Sequence, residues 1–347
     1  MARTFPRNIG VDVLRLFSVA AVVLGHAYLE ALTVSAYLEI WRMPLFFFLT
    51  GYFWTRGRSF RADLGSRWRS LGIPYLVWAV LMSVAAVRFA GGDAETLGEM
   101  LRTGWYGGVD QDPPWWAFWF ISVLFFTALL ARGLERAPWP VAWLVAAGGL
   151  AFSWLVPDSA IARTPLSVGL AFPCLFFVLC GELFRRRVEP RIPSSLTLRF
   201  LLGAAAVTAG LGAVPGGLEP HTIKYGGFGT PVLTPLIGVL IACGMVLIFG
   251  STVNAALTWL AVRTGAGRAI RAVVSALVRT GTVVVLVHGY VLMELMNAGG
   301  HEPLARFLIA LGVSWAVGVA LLSTPASQLL TGVPRQFGAP VSPARRS

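Results

Sequence analysis

Three ionisable residues, Asp12, Arg15 and His26, stand in one apolar stretch, I-G-V-D-V-L-R-L-F-S-V-A-A-V-V-L-G-H-A-Y-L, residues 9–29. A run of about 20 such residues is long enough to cross a bilayer as a helix. Ionisable groups in hydrocarbon are costly, so they turn inward and mark a site. Asp12 and Arg15 are three residues apart and share a helix face. Arg15 and His26 are eleven apart, close to three turns, so they point the same way, separated by roughly 16 Å along the axis. An imidazole can take a proton near neutral pH, as a general base must. A guanidinium can donate two hydrogen bonds at once to a phosphate or carboxylate, with Asp12 holding it in place. The competing reading is an Asp12–Arg15 ion pair that locks helix packing, with His26 bonded to a carbonyl near the helix end.

Other stretches carry candidates of the same kind. His288 lies in R-T-G-T-V-V-V-L-V-H-G-Y, at mid-membrane depth. It either takes part in a site or bridges helices by a hydrogen bond. Arg67 and Arg69 open R-W-R-S-L-G-I-P-Y-L-V-W, where they could reach a phosphate at the mouth of a span. Trp119, in W-W-A-F-W-F-I, belongs to an aromatic belt and could also line a cavity. Gly-rich phosphate loops, H-E-x-x-H and G-x-S-x-G motifs are missing from the sequence. Cys174, Cys180 and Cys243 all fall in apolar runs and read as membrane-buried thiols.

The elements that must position these residues follow from composition. The chain is 56% hydrophobic and 13% charged. Soluble domains carry about twice that share of charge, so an all-α polytopic membrane protein is expected and soluble-enzyme classes drop out. Ten spans are expected, at 9–29, 37–55, 71–90, 115–131, 139–156, 165–184, 196–214, 231–250, 275–296 and 304–324. Residues 252–262 are too short to cross alone and either extend the eighth span or lie at the interface. The expected organisation is one membrane domain, residues 1–325, followed by a loose cytosolic tail, 326–347.

The net charge of +12 does not point to nucleic acid, because the basic residues sit in short loops between spans. Loop charge instead sets orientation. With the N-terminus in the cytosol, every basic residue except Arg15, Arg42, Arg88, Arg102, Arg163, Lys224 and Arg306 falls on the inner side. Both termini are then cytosolic. Asp12 and Arg15 lie near the inner face and His26 near the outer one.

These pieces together resemble the acyltransferase 3 family of integral-membrane acyltransferases. The likeness covers most of the chain. It rests on D-V-L-R followed by ten residues and His26, which is similar to the family's Arg-x10-His signature. M-P-L-F-F-F-L-T-G-Y, R-W-R-S-L-G-I-P-Y-L-V-W, W-F-I at Trp119 and R-T-G-T-V-V-V-L-V-H follow in the family's order. The family often carries Arg-x-x-Arg at the third-span entrance, and here only Arg67-x-Arg69 stands. The resemblance implies transfer of an acyl group, acetyl by expectation, from cytosolic acyl-CoA to a hydroxyl of a cell-surface glycan or glycolipid. His26 would act as base or as an acyl-carrying nucleophile, Arg67 and Arg69 would hold the CoA phosphates, and no metal would take part. The implied location is a bacterial cytoplasmic membrane, with membrane lipid around the protein. A transporter or flippase of a glycolipid or anionic solute is the alternative, with the same charges lining its route.

Overall fold

The computed structural model describes residues 8–111, 113–156 and 160–336. These residues form helices joined by turns, without a β-strand. Helix α1, Ile9–Ala27, opens on Asn8, whose side chain accepts from Val11 N (3.2 Å) and donates to Gly250 O (2.7 Å). That pairing caps the helix and ties its first turn to a distant segment.

Next come α2 (Leu32–Glu39) and α3 (Arg42–Tyr52). The expected single span at 37–55 is thus two short helices with a break at Ile40–Trp41. Pro44 gives the reason. It sits in the first turn of α3, where a missing N–H leaves no intrahelical bond unmade. Helix α4, Phe60–Phe89, is continuous but widens into a π-turn over Trp68–Gly72. Pro74 follows that turn and has no N–H to continue the regular ladder. Helix α5 (Ala94–Tyr106) is amphipathic and precedes α6 (Phe118–Leu134), α7 (Trp139–Leu155) and α8 (Ala171–Leu183). The chain continues through α9 (Leu196–Gly212) and α10 (Leu233–Thr264), α11 (Gly267–Arg279) and α12 (Gly281–Ala298), then α13 (Pro303–Leu321) and α14 (Ser327–Thr331).

Among the described residues, six helices are long and apolar enough to cross a membrane, and α6, α7 and α9 are shorter apolar helices. Each of the ten expected segments overlaps helix, but the six helices of spanning length among the described residues are fewer than the ten spans expected. Residues 252–262 extend the eighth span, because α10 runs on through a π-turn at Ile248–Val253. The expected ninth span at 275–296 divides at Thr280 into the amphipathic α11 and the apolar α12.

Helices α3 and α8 cross closely at Gly51 and Gly181. A Cβ on Gly51 would collide with the Val178 carbonyl, and one on Gly181 with the Phe48 carbonyl. Small residues allow this approach where lipid offers no hydrophobic drive for helix association. Helix α1 packs on α12 and α13 through Val19, Val23 and Ala27, which meet Val284, Leu292 and Ala310. The four-residue steps Val19–Val23–Ala27 and Val284–His288–Leu292 are facing stripes of two helices.

The start of the expected loose tail is docked. Trp78 Nε1 donates to Leu330 O (2.8 Å), Gln328 Nε2 to Arg69 O (3.3 Å) and Gln336 N to Leu322 O (3.0 Å). One indole donor and two backbone acceptors outside it hold this segment, and apolar composition does not report such bonds. The remainder, 337–347, and the N-terminal Arg3 and Arg7 lie outside the described residues.

Candidate active site

His26 is in the last turn of α1, and its ring meets His288 of α12. His26 Nδ1 lies 2.8 Å from His288 Nε2. The rings are nearly parallel, at 7°, with centroids 5.1 Å apart. At that N···N distance the two imidazoles meet edge to edge, with the hydrogen bond in their common plane. His288 is fully buried, and its Nδ1 lies 2.8 Å from Val284 O, one turn back.

This chain assigns the protons. A carbonyl only accepts, so His288 Nδ1 carries hydrogen and donates to Val284 O. In a neutral imidazole the other nitrogen is then an acceptor. His288 Nε2 therefore accepts from His26 Nδ1–H. His26 is left with a lone pair on Nε2, the form a general base requires. The pairing puts two polar rings into an apolar seam with their inner nitrogens satisfied, as buried polar groups must be.

Trp116 stacks on His26 at 5.4 Å between centroids and 19° between planes. His26, Trp116 and Trp119 line one cavity with Arg42, Lys224 and His221. Trp119 is buried and T-shaped against Phe120. The loop between α9 and α10 brings in Lys224 and His221. Lys224 Nζ donates to Gln111 O (2.7 Å), which fixes the loop over the cavity. His221 packs edge-on to Phe177 and Phe228, and burial pushes its imidazole down to about 3. It is held neutral in that wall.

The other predicted residues lie toward the opposite end of the bundle. Asp12 is buried, 3.7 Å from Arg15. The Arg15 guanidinium sits 4.0 Å over the Phe53 ring, at the far end of α3 from Arg42. The ion pair of the competing reading is present, and the Arg15 side chain stays partly exposed. Arg67 Nε donates to Asp63 Oδ2 (2.9 Å). The same buried carboxylate takes Arg132 at 3.3 Å, and Arg132 also pairs with Glu135. Arg67 thus belongs to an ion network that neutralises a buried acid, while Arg69 is exposed. A roomier cavity, about 640 Å³, lies at this end and carries Arg56, Arg186 and Arg187. Its walls show no nucleophile or base held as His26 is; Glu182 is engaged by Arg56 and Arg186.

The structure therefore unites His26, His288 and Trp119 and leaves Asp12, Arg15, Arg67 and Arg69 toward the other face. Arg42, Trp116, His221 and Lys224 were missed as site residues by sequence reasoning. A signal existed for Arg42: a charged residue two positions before Pro44 in an otherwise apolar run. The loop residues carried none, since their place depends on how the loop folds back.

The His26–His288 pair stands at a cavity at one end of the bundle, and the Asp63–Arg67–Arg132 cluster lies at the opposite end. Searches of curated proteins and of solved structures returned no match. A family model described as an acyltransferase domain matches residues 8–330, nearly the whole chain, so the chain belongs to the acyltransferase 3 family of membrane acyltransferases.

Proposed function

We propose that this protein transfers an acyl group, acetyl in the simplest case, from cytosolic acyl-CoA to a hydroxyl of a cell-surface glycan or glycolipid. The observation that carries the reading is the proton-ordered chain from Val284 O through His288 to His26, ending in a cavity. His26 Nε2 takes the proton of the acceptor hydroxyl as its oxygen attacks the thioester carbonyl. A C–O bond forms, the C–S bond breaks, and the proton passes from His26 to the leaving thiolate. The products are the acyl ester and free CoA thiol. His288 keeps His26 in the required tautomer while the charge on its ring develops.

The orientation in this reading puts the His26 end at the outer face and the Arg67–Arg69 end in the cytosol of a bacterial cytoplasmic membrane. The loop-charge bias supports it. Arg69 and Arg67, with Arg15 further along the path, face the CoA phosphates, and the pantetheine arm spans the distance to His26. The protein supplies base and binding groups from its own side chains, without a metal. The test is thioester consumption by the purified protein in nanodiscs, with acetyl-CoA and a glycan acceptor. Acceptor-dependent release of CoA thiol that disappears in His26→Gln is the expected result. Release without acceptor, or equal release by the variant, would sink the reading.

A further inference from the structure

Arg42 is the first residue of α3 and faces the cavity that holds His26. Its side chain is only 11% exposed, and Nε and Nη1 have no hydrogen-bond partner among the described residues. Its one ion-pair partner among the described residues, Glu39, lies 3.5 Å from Nη2, one turn away on α2. A buried guanidinium with unmet donors carries a large desolvation cost, which an anion in the cavity would offset. The backbone makes room for this group. A Cβ on Gly25 would collide with Arg42 Nη1, so the glycine just before His26 is what lets the guanidinium lie beside the base. Lys224 stands in the same cavity wall, so Arg42 and Lys224 outweigh Glu39 by one positive charge. Trp116 and Trp119 add the flat apolar faces on which a sugar ring packs.

We propose that Arg42 binds an anionic oxygen of the acceptor, a carboxylate or a phosphate, and thereby places a nearby hydroxyl at His26 Nε2. This deepens the transferase reading and rests on it for the word acceptor. The acceptor class is then an acidic sugar or a phosphorylated one, in preference to a neutral glycan. The donor's phosphates are a poorer fit, because the exposed arginines proposed for them lie at the opposite end of the bundle.

The test is isothermal titration of the full-length protein in nanodiscs with methyl glucuronide, glucose 1-phosphate and methyl glucoside. One or both anionic sugars should bind at least about tenfold more tightly than the neutral one, the range of a charge-assisted hydrogen bond. The stronger of the two identifies carboxylate or phosphate as the source. Arg42→Gln should erase the difference, and Arg42→Lys should keep part of it. Gly25→Ala retains the charge but displaces the guanidinium, so it should also reduce the difference and guards against a folding defect in Arg42→Gln. Equal binding of all three sugars, no binding of any, or an undiminished difference in Arg42→Gln overturns the proposal. If the difference holds but no thioester is consumed, the anion site stands and the transferase reading falls. If transfer proceeds equally to charged and neutral sugars, the transferase reading stands and the anion site falls.

Discussion

His26 and His288 are 262 positions apart in the chain, and their ring nitrogens are 2.8 Å apart in the fold. The second histidine is itself anchored on the Val284 carbonyl, so the pair has one proton order and one exposed lone pair.

Removing the base should remove the chemistry while leaving the donor site intact. His26→Ala and His26→Gln are both expected to lose about 10²- to 10⁴-fold in kcat, the usual cost of deleting a general base. Acyl-CoA binding should persist, since Arg69 and Arg67 lie at the other end of the bundle. Gln retains size and hydrogen bonding, so near-normal turnover by His26→Gln would refute proton transfer there.

His288 acts through His26, so its variants should separate by what they can accept. The Oε1 of His288→Gln can still take the bond from His26 Nδ1–H, whereas His288→Leu cannot. The expected order of kcat is wild type, then Gln, then Leu, with the KM for acyl-CoA little changed in each. Wrong-tautomer losses are large where an orienting partner is removed. Equal activity of the Gln and Leu variants at matched membrane levels would reduce His288 to a packing residue.

Arg67 and Arg69 should differ although they are two residues apart. Arg69 is exposed, so Arg69→Ala should raise the KM for acyl-CoA more than it lowers kcat, with an unchanged thermal midpoint. Arg67 also pairs with buried Asp63, so Arg67→Ala should raise KM and lower the midpoint. An unaltered acyl-CoA dependence in the double variant would leave these arginines with structural and topological roles alone.

The crossing of α3 and α8 tolerates no side chain at its centre. Gly181→Val should force the helices apart at the Phe48 carbonyl and cost roughly 1–3 kcal/mol or more, as overpacking does. The readout is thermal unfolding in detergent. An unchanged midpoint would mean that the two helices do not meet this closely.

Orientation is open to direct measurement. Asp110 and Glu219 are exposed at the His26 end, and Arg61 and Arg268 at the other. Single cysteines at the first two should react with an impermeant maleimide in intact cells, and at the last two only after permeabilisation. The reverse pattern would invert the membrane orientation and with it the assignment of donor and acceptor sides.

The sequence by itself determined where helices lie and which residues are out of place in them. Hydropathy is a local property of the chain, and a membrane makes it nearly sufficient, because every backbone group must be satisfied within a helix. Asp12, Arg15, His26 and His288 stood out for the same reason: a charge or imidazole in an apolar run is visible without knowing its neighbours. The docking of residues 327–336 was hidden, since it depends on single hydrogen bonds, whereas the break between α2 and α3 had a visible cause in Pro44.

Only the tertiary structure decided who meets whom. It gave Arg67 to Asp63 and left Arg69 exposed, although both read alike as basic residues at a span entrance. It laid Arg42 against Gly25 and folded Lys224 and His221 over the same cavity. Above all it set the tautomer of His26, because a proton's place on an imidazole depends on the acceptor across from it. That acceptor belongs to a helix that begins more than two hundred residues later.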